Sequence, residues 1–260
     1  MQILNVNNPY QAPVFFVEQC DSTQLEARSL IAKNPMSGTV VVTNYQAKGR
    51  GRGTARLWKA EAGENLLFTI MFHYENFGAI PRAFTLRIGL AVAEAIADFV
   101  PALKNHITVK WPNDVMIGSR KVCGILAENV GSYILTGIGI NVNQLEFPEE
   151  INKKAVSIRQ ALSEKQSGTV PVFETHTLLE TILPHLQKKL SSSTDNKWNA
   201  VLQERLYKRG ELVSFVPGQV DSKGKVEGVL EGIGSGGELL INTGTEIKTF
   251  ITGELEYQFH

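Results

Sequence analysis

Short apolar runs separated by polar clusters dominate the first half of the chain. Residues 13–20 (PVFFVEQC) and 39–45 (TVVVTNY) are β-branched and aromatic stretches with polar flanks, the pattern of buried strands. Between them, Thr23 followed three residues later by Glu26 predicts a helix opened by a capping box, and Asp21 with Gln24 offers the same spacing two residues earlier. Residues 65–73 (NLLFTIMFH) predict another strand. Over 81–100, Phe84, Ile88, Ala91, Ala95 and Phe99 recur at helical spacing and predict a long amphipathic helix. Strands follow at 107–111, 122–130 and 133–143, the last two as a hairpin. Helices are predicted near 153–163, 174–190 and 195–207, with SSSTDN (191–196) as a turn between the last two. From residue 209 the texture becomes short and alternating. LVSFV, GKVEGVL, ELLIN, EIKTF and ELEYQF, punctuated by Gly, Asp, Asn and Ser, predict five strands of a small antiparallel barrel. The change of period places a domain boundary there, giving units at 1–208 and 209–260.

Composition narrows the class. A chain of 260 residues accommodates one large domain and one small one. Lys plus Arg and Asp plus Glu are equal at 26 each, so no net field draws the molecule onto a phosphate backbone or an anionic membrane. The opening MQILNVNNPYQAPV lacks a basic segment followed by an apolar one, and no run approaches the ~18 apolar residues of a membrane span. A cytoplasmic protein is the expectation. Cys20 and Cys123 are too few for a disulfide framework and lack metal-ligand spacing, so both are expected to be reduced thiols.

Four segments carry candidate chemistry. GRGRG at 49–53 combines glycines, which let a backbone approach a ligand closely, with the guanidinium forks of Arg50 and Arg52, suited to carboxylate or phosphate. The pattern is as compatible with a solvated surface turn, and it matches neither the phosphate-loop nor the dinucleotide-binding glycine pattern. KWPND at 110–114 predicts a strand that turns sharply at Pro112 and presents Asn113 and Asp114 at its end. The return strand brings Lys121 beside that turn, with Gly124 where a side chain could obstruct a ligand, so one cation and one carboxylate share a site. DST at 21–23 places hydroxyls at a strand-to-helix junction, for capping or for a ligand. GIGINVN at 137–143 offers two glycines for close approach and an Asn141 amide that both donates and accepts, or else is an ordinary strand end.

Taken together, DSTQ, GRGRG with Trp58, GENLLFTI, KWPND, RKVCGILAE and GIGINVN resemble, in the same order, the motifs of biotin protein ligases. KWPND followed by RK-x-x-G-I-L-x-E is the most specific part. The resemblance implies an α/β (α+β) fold: a mixed central sheet flanked by helices, a catalytic domain of the class II synthetase type, and a C-terminal SH3-like β-barrel. It implies that the protein activates biotin with ATP and Mg²⁺ to biotinyl-5′-AMP and transfers the biotinyl group to a lysine of a biotin carboxyl carrier domain. Lys121, Arg52 and Asp114 are the implied catalytic residues. Ser22, Thr23, Gln24, Gln46, Arg50, Gly51, Arg52, Lys121 and Gly124 are implied to bind biotin. Arg52, Trp58, Asn113 and Asn141 are implied to bind the nucleotide, with Trp58 near the adenine. The metal ligands are not implied. The segment between Arg52 and Trp58 is one residue longer than the family pattern.

Because DST begins so near the start, a short form without an N-terminal DNA-binding domain is expected, with no nucleic acid or membrane as partner. A homodimer is a further implication of the resemblance. The enzymatic alternative is a lipoate or octanoate ligase or transferase of the same fold. A nucleic-acid-binding module is disfavoured by the zero net charge and by basic residues that are not gathered into a stripe.

Overall fold

A computed structural model describes residues 1–53, 57–166, 168–191, 197–218 and 224–256. In chain order its elements are β1 (Gln2–Ile3), β2 (Val14–Cys20), α1 (Thr23–Leu30), β3 (Thr39–Gln46), β4 (Asn65–His73), α2 (Phe84–Phe99), β5 (Ile107–Lys110), β6 (Asp114–Ile117), β7 (Arg120–Val130) and β8 (Tyr133–Asn141). These are followed by α3 (Ile158–Ser163), α4 (Thr175–Leu190) and α5 (Lys197–Arg205). The C-terminal strands are β9 (Leu212–Pro217), β10 (Val226–Ile233), β11 (Leu239–Asn242), β12 (Ile247–Phe250) and β13 (Gly253–Leu255).

The first eight strands form one mixed sheet in the order β1-β2-β3-β4-β8-β7-β6-β5. Only β2 and β3 run parallel, with α1 connecting them. Strand alternation divides the sheet into two faces. On β4, Phe68, Ile70 and Phe72 enter the main core with α2 and α4, whereas Met71 joins a smaller cluster with Ala27 and Leu30 of α1. β8 alternates likewise. Ile138 and Ile140 face the main core, while Tyr133 and Leu135 meet α1. The last five strands form a separate antiparallel sheet in the order β12-β11-β10-β9-β13.

Most predicted elements are present, with informative shifts. The capping box expected at Thr23 and Glu26 is absent: Ser22 is the N-cap and accepts from the Gln24 N–H, and the Thr23 hydroxyl turns inward to Thr69 at 2.8 Å. Asp21 instead pairs with Lys48 at 2.9 Å. The helix expected from 81 begins at Phe84, after Ala83 in a left-handed conformation with φ 54°. The helix expected from 153 begins at Ile158, capped by the Ser157 side chain, because 151–154 form turns. Strands β1 and β6 are additional to the prediction. Residues 195 and 196 of the expected last helix, most of SSSTDN, and 257–259 of the expected final strand lie outside the described residues. No described helix is long and apolar enough to cross a membrane.

The α2 and α4 helices are joined by charge. Lys189 Nζ lies 2.7 Å from Glu94 Oε1, and His185 sits between Glu94 at 3.5 Å and Asp98 at 3.0 Å. Burial raises the Glu94 pKa, but hydrogen bonds and charge from His185 and Lys189 outweigh it and hold the carboxyl at about 2. A depressed carboxyl stabilises the fold above its unfolded pKa, and that contribution is lost as pH falls from about 4.5 towards 2. Glu94→Gln is therefore expected to melt below wild type at pH 6, by an increment on the order of 2–3 kcal/mol. The difference should shrink towards pH 3, and a pH-independent difference would sink this account.

Candidate functional site

On the α1 side of β8 the side chains dwindle along the strand from Tyr133 and Leu135 to Gly137 and Gly139, which opens a hollow beside the packed α1 cluster. β7 continues the hollow: Gly124 stands directly opposite Gly139, and Leu126 opposite Gly137. A Cβ on Gly124 would lie 2.9 Å from the Trp58 ring, and one on Gly139 would lie 2.7 Å from it. Two glycines thus form a floor on which the indole rests.

The wall of the hollow is polar and buried. The amide oxygen of Gln46 accepts from the Thr23 N–H at 2.8 Å and from the Thr23 hydroxyl at 3.1 Å. Gln24 donates to the Leu126 carbonyl at 2.7 Å, while its own amide oxygen is buried without a hydrogen-bond partner. An unsatisfied buried acceptor is costly, and a ligand N–H arriving there would relieve it. With Trp58 seated, the remaining space is only about 50 Å³, lined by Ser22, Thr23, Gln24, Gln46, Arg50, Gly51, Arg52, Trp58, Asn113, Lys121 and Gly124. The Trp58 indole N–H is also buried and unpartnered.

A second, larger cavity of about 440 Å³ adjoins the first and shares Gly51, Arg52, Trp58, Asn113 and Lys121 with it. Phe147, Ile151 and Ala155 supply an apolar wall; Lys59, Lys110 and Lys154 add cations. At the junction Lys121 Nζ lies 2.6 Å from Asp114 Oδ1. Chain geometry accounts for the pair. Asp114 opens β6 opposite Gly124, and a register shift in the β6–β7 ladder brings Lys121 back beside it. The Lys121 backbone is pinned on its other side, donating to the Lys154 carbonyl at 2.7 Å and accepting from the Val156 N–H at 3.0 Å.

The two arginines of GRGRG diverge. Arg50 Nη1 pairs with Glu128 Oε1 at 3.2 Å, whereas Arg52 Nη2 donates to the Gly253 carbonyl at 2.9 Å. Asn113 is tied into the ladder through the Ile125 carbonyl at 2.6 Å, and Asn141 donates to the Val156 carbonyl at 3.2 Å. Residues 54–56 of the loop between Arg52 and Trp58 lie outside the described residues. Both cysteines are free and buried, and burial pushes both thiols up, so neither offers a ready thiolate.

All the predicted site residues therefore line one or both of two contiguous cavities. Sequence reasoning missed Thr69, the apolar wall at Phe147, Ile151 and Ala155, and Glu254. Phe147 and Ile151 precede the helix expected from 153 and Ala155 is bridged to Lys121, and only tertiary contact brings Glu254 from β13 to the cavity.

The profile of the biotin/lipoate A/B protein ligase family matches residues 16–144, which carry Thr23, Gln24, Gln46, Arg52, Asp114, Lys121 and Gly139. The stretch 16–144 is a domain of the biotin/lipoate A/B protein ligase family. Among family members, the bifunctional ligase/repressor BirA of Bacillus spizizenii is 35% identical over 161 residues, 58% of this chain and 48% of that protein. The biotin–[acetyl-CoA-carboxylase] ligase of Mycobacterium tuberculosis is 31% identical over 144 residues, 55% of this chain and 53% of its own. The chain thus spans about half the length of these relatives. The biotin protein ligase of Aquifex aeolicus, solved in complex with biotin and ATP, is 29% identical and superposes with a TM-score of 0.75 over 94% of this chain and 97% of that one.

Proposed function

We propose that this chain is an ATP-dependent biotin protein ligase. It forms biotinyl-5′-AMP from biotin and ATP, then transfers the biotinyl group to a lysine of a biotin carboxyl carrier domain. The observation that carries the reading is the Lys121–Asp114 pair at the junction of a polar inner pocket and a larger cation-lined cavity. An acid bound with its ring in the first and its carboxylate at Lys121 would face a nucleotide in the second. The Aquifex aeolicus relative solved with biotin and ATP supports these two molecules as the ligands.

The inner wall favours a ureido ring over an alkyl chain. Against lipoate or octanoate the buried Gln24 amide oxygen would stay without a partner, at a cost of about 1–3 kcal/mol. Lys121 and Arg52 neutralise the carboxylate and the α-phosphate, whose mutual repulsion otherwise blocks attack. A biotin carboxylate oxygen bonds to the α-phosphorus and diphosphate leaves. The neutral amine of the carrier lysine then attacks the acyl carbon and releases AMP. Asp114 is the carboxylate at hand for a phosphate-bound Mg²⁺, which takes one or two protein carboxylates and completes its shell from phosphates and water. Among the described residues no cluster of three metal-ligating side chains exists, which suits an ion delivered with the nucleotide. When bound, the ion supplies charge neutralisation on the phosphates. On the same reading, residues 1–208 are the catalytic domain and 209–260 an SH3-like barrel.

The Trp58 indole occupies the glycine floor on which a bound ring would lie, 2.7 Å from a Cβ placed on Gly139 and 2.9 Å from one on Gly124. Entry of biotin therefore lifts Trp58 off the glycine floor and alters its environment. Tryptophan emission is expected to change on adding biotin without ATP, and Trp58→Phe to abolish most of the change although Trp111 and Trp198 remain. An equal change in Trp58→Phe would remove Trp58 from the biotin path.

The full reaction is tested by incubating the protein with biotin, ATP, Mg²⁺ and a biotin carboxyl carrier domain and mapping the modified residue by mass spectrometry. One biotinyl group on one carrier lysine is the expected product. An unmodified carrier, or a lipoylated one when lipoate replaces biotin, would overturn the assignment.

A further inference from the structure

Both signature motifs of the large sheet touch the second sheet. Trp111 of KWPND donates its indole N–H to the Gly237 carbonyl at 3.0 Å and packs edge-on against Phe215 of β9, with ring centroids 5.8 Å apart. Arg52 of GRGRG reaches β13: its Nη2 donates to the Gly253 carbonyl at 2.9 Å and lies 3.9 Å from Glu254 Oε2. The Gly253 backbone has φ 145°, and a Cβ there would stand 2.2 Å from the Phe215 ring and 2.5 Å from the Val216 carbonyl. Glycine at this position lets β13 press against β9 in the conformation that turns its carbonyl to Arg52. Glu254 itself lines the larger cavity with Arg52, Asp114 and Lys121.

We propose that Glu254 is a positioning residue: together with the Gly253 carbonyl it holds the Arg52 guanidinium at the wall between the two cavities, and so makes the second sheet a working part of the site that retains the acyl-adenylate. The proposal rests on the ligase reading above. A guanidinium is a rigid planar fork, so anchoring one of its nitrogens fixes the direction of the others. GRGRG has glycines on both sides of Arg52 and cannot hold that direction by local stiffness. A carbonyl and a carboxylate from a separate sheet can. At 31% and 23% exposure the two side chains are partly screened, so the effect belongs between that of a surface pair and that of a buried one.

The test is retention of biotinyl-5′-AMP. The full-length protein is loaded with biotin and α-labelled ATP, chased with unlabelled reagents, and the release rate of the adenylate is measured beside the affinity for biotin alone. Glu254→Ala is expected to release the adenylate roughly five- to tenfold faster, with biotin affinity moved less than twofold and partial rescue by Glu254→Asp. In an Arg52→Ala background the same substitution should add nothing, because the two residues act as one unit. Unchanged release from Glu254→Ala would overturn the proposal. So would a full additional effect in the Arg52→Ala background, since Glu254 would then act through the fold. If wild type forms no adenylate at all, the ligase reading fails and this proposal falls with it, whereas the other two outcomes leave that reading intact.

Discussion

Lys121→Ala is expected to lower biotinyl-5′-AMP formation by about 10²- to 10³-fold, the usual consequence of removing one aimed cation or donor from a developing charge. Melting should move by no more than about 2–4 °C, equivalent to about 1 kcal/mol in a chain of this size. The two effects separate because the backbone of Lys121, not its side chain, is built into the structure. Its N–H and carbonyl bond to Lys154 and Val156, and an alanine keeps both. The side chain is 29% exposed and spans the junction towards Asp114. Biotin affinity without ATP should fall less than the rate, since on the proposed reading the ring lies deeper in the pocket against Thr23, Gln24 and Gln46. Single-turnover adenylate formation and equilibrium binding measure the two halves. A variant that forms adenylate at the wild-type rate removes Lys121 from the chemistry.

Gly139→Val has the second large effect, through space rather than charge. The backbone at 139 is ordinary strand, so valine suits it locally. Its Cβ, however, would lie 2.7 Å from the Trp58 ring, in the hollow proposed for biotin once the indole moves. Trp58 can give way and the ligand cannot. Filling a packed site costs about 1–3 kcal/mol, which is about 5- to 140-fold in the dissociation constant for biotin at about 1.4 kcal/mol per decade. Calorimetric titration of biotin without ATP measures this, with the wild-type melting temperature as the check that the sheet is intact. Undiminished affinity would mean that biotin does not cross the glycine floor.

Much of this was legible in the residues. Short apolar runs bounded by polar clusters located β2, β3 and β4, turn residues set off β7 and β8, and the turn at Pro112 with a return strand brought Lys121 to Asp114, as spacing predicted. What escaped has physical reasons. Thr23 looked like a cap because Glu26 follows it at the right spacing, but the buried hydroxyl of Thr69 and the amide of Gln46 offer better partners, so Ser22 takes the cap instead. The four-residue β6 lies between two turns, too short for its alternation to register. Phe147 and Ile151 sit in irregular chain with no period to betray a face. The Arg52–Gly253 contact joins residues 201 positions apart, which no local pattern encodes.

The most direct measurement uses the purified protein with Mg²⁺, α-labelled ATP and one acid at a time, without any carrier. Labelled biotinyl-5′-AMP with biotin, and no acyl-adenylate with lipoate or octanoate, is the predicted result. An adenylate formed with lipoate or octanoate but not with biotin, or none with any acid, would contradict it.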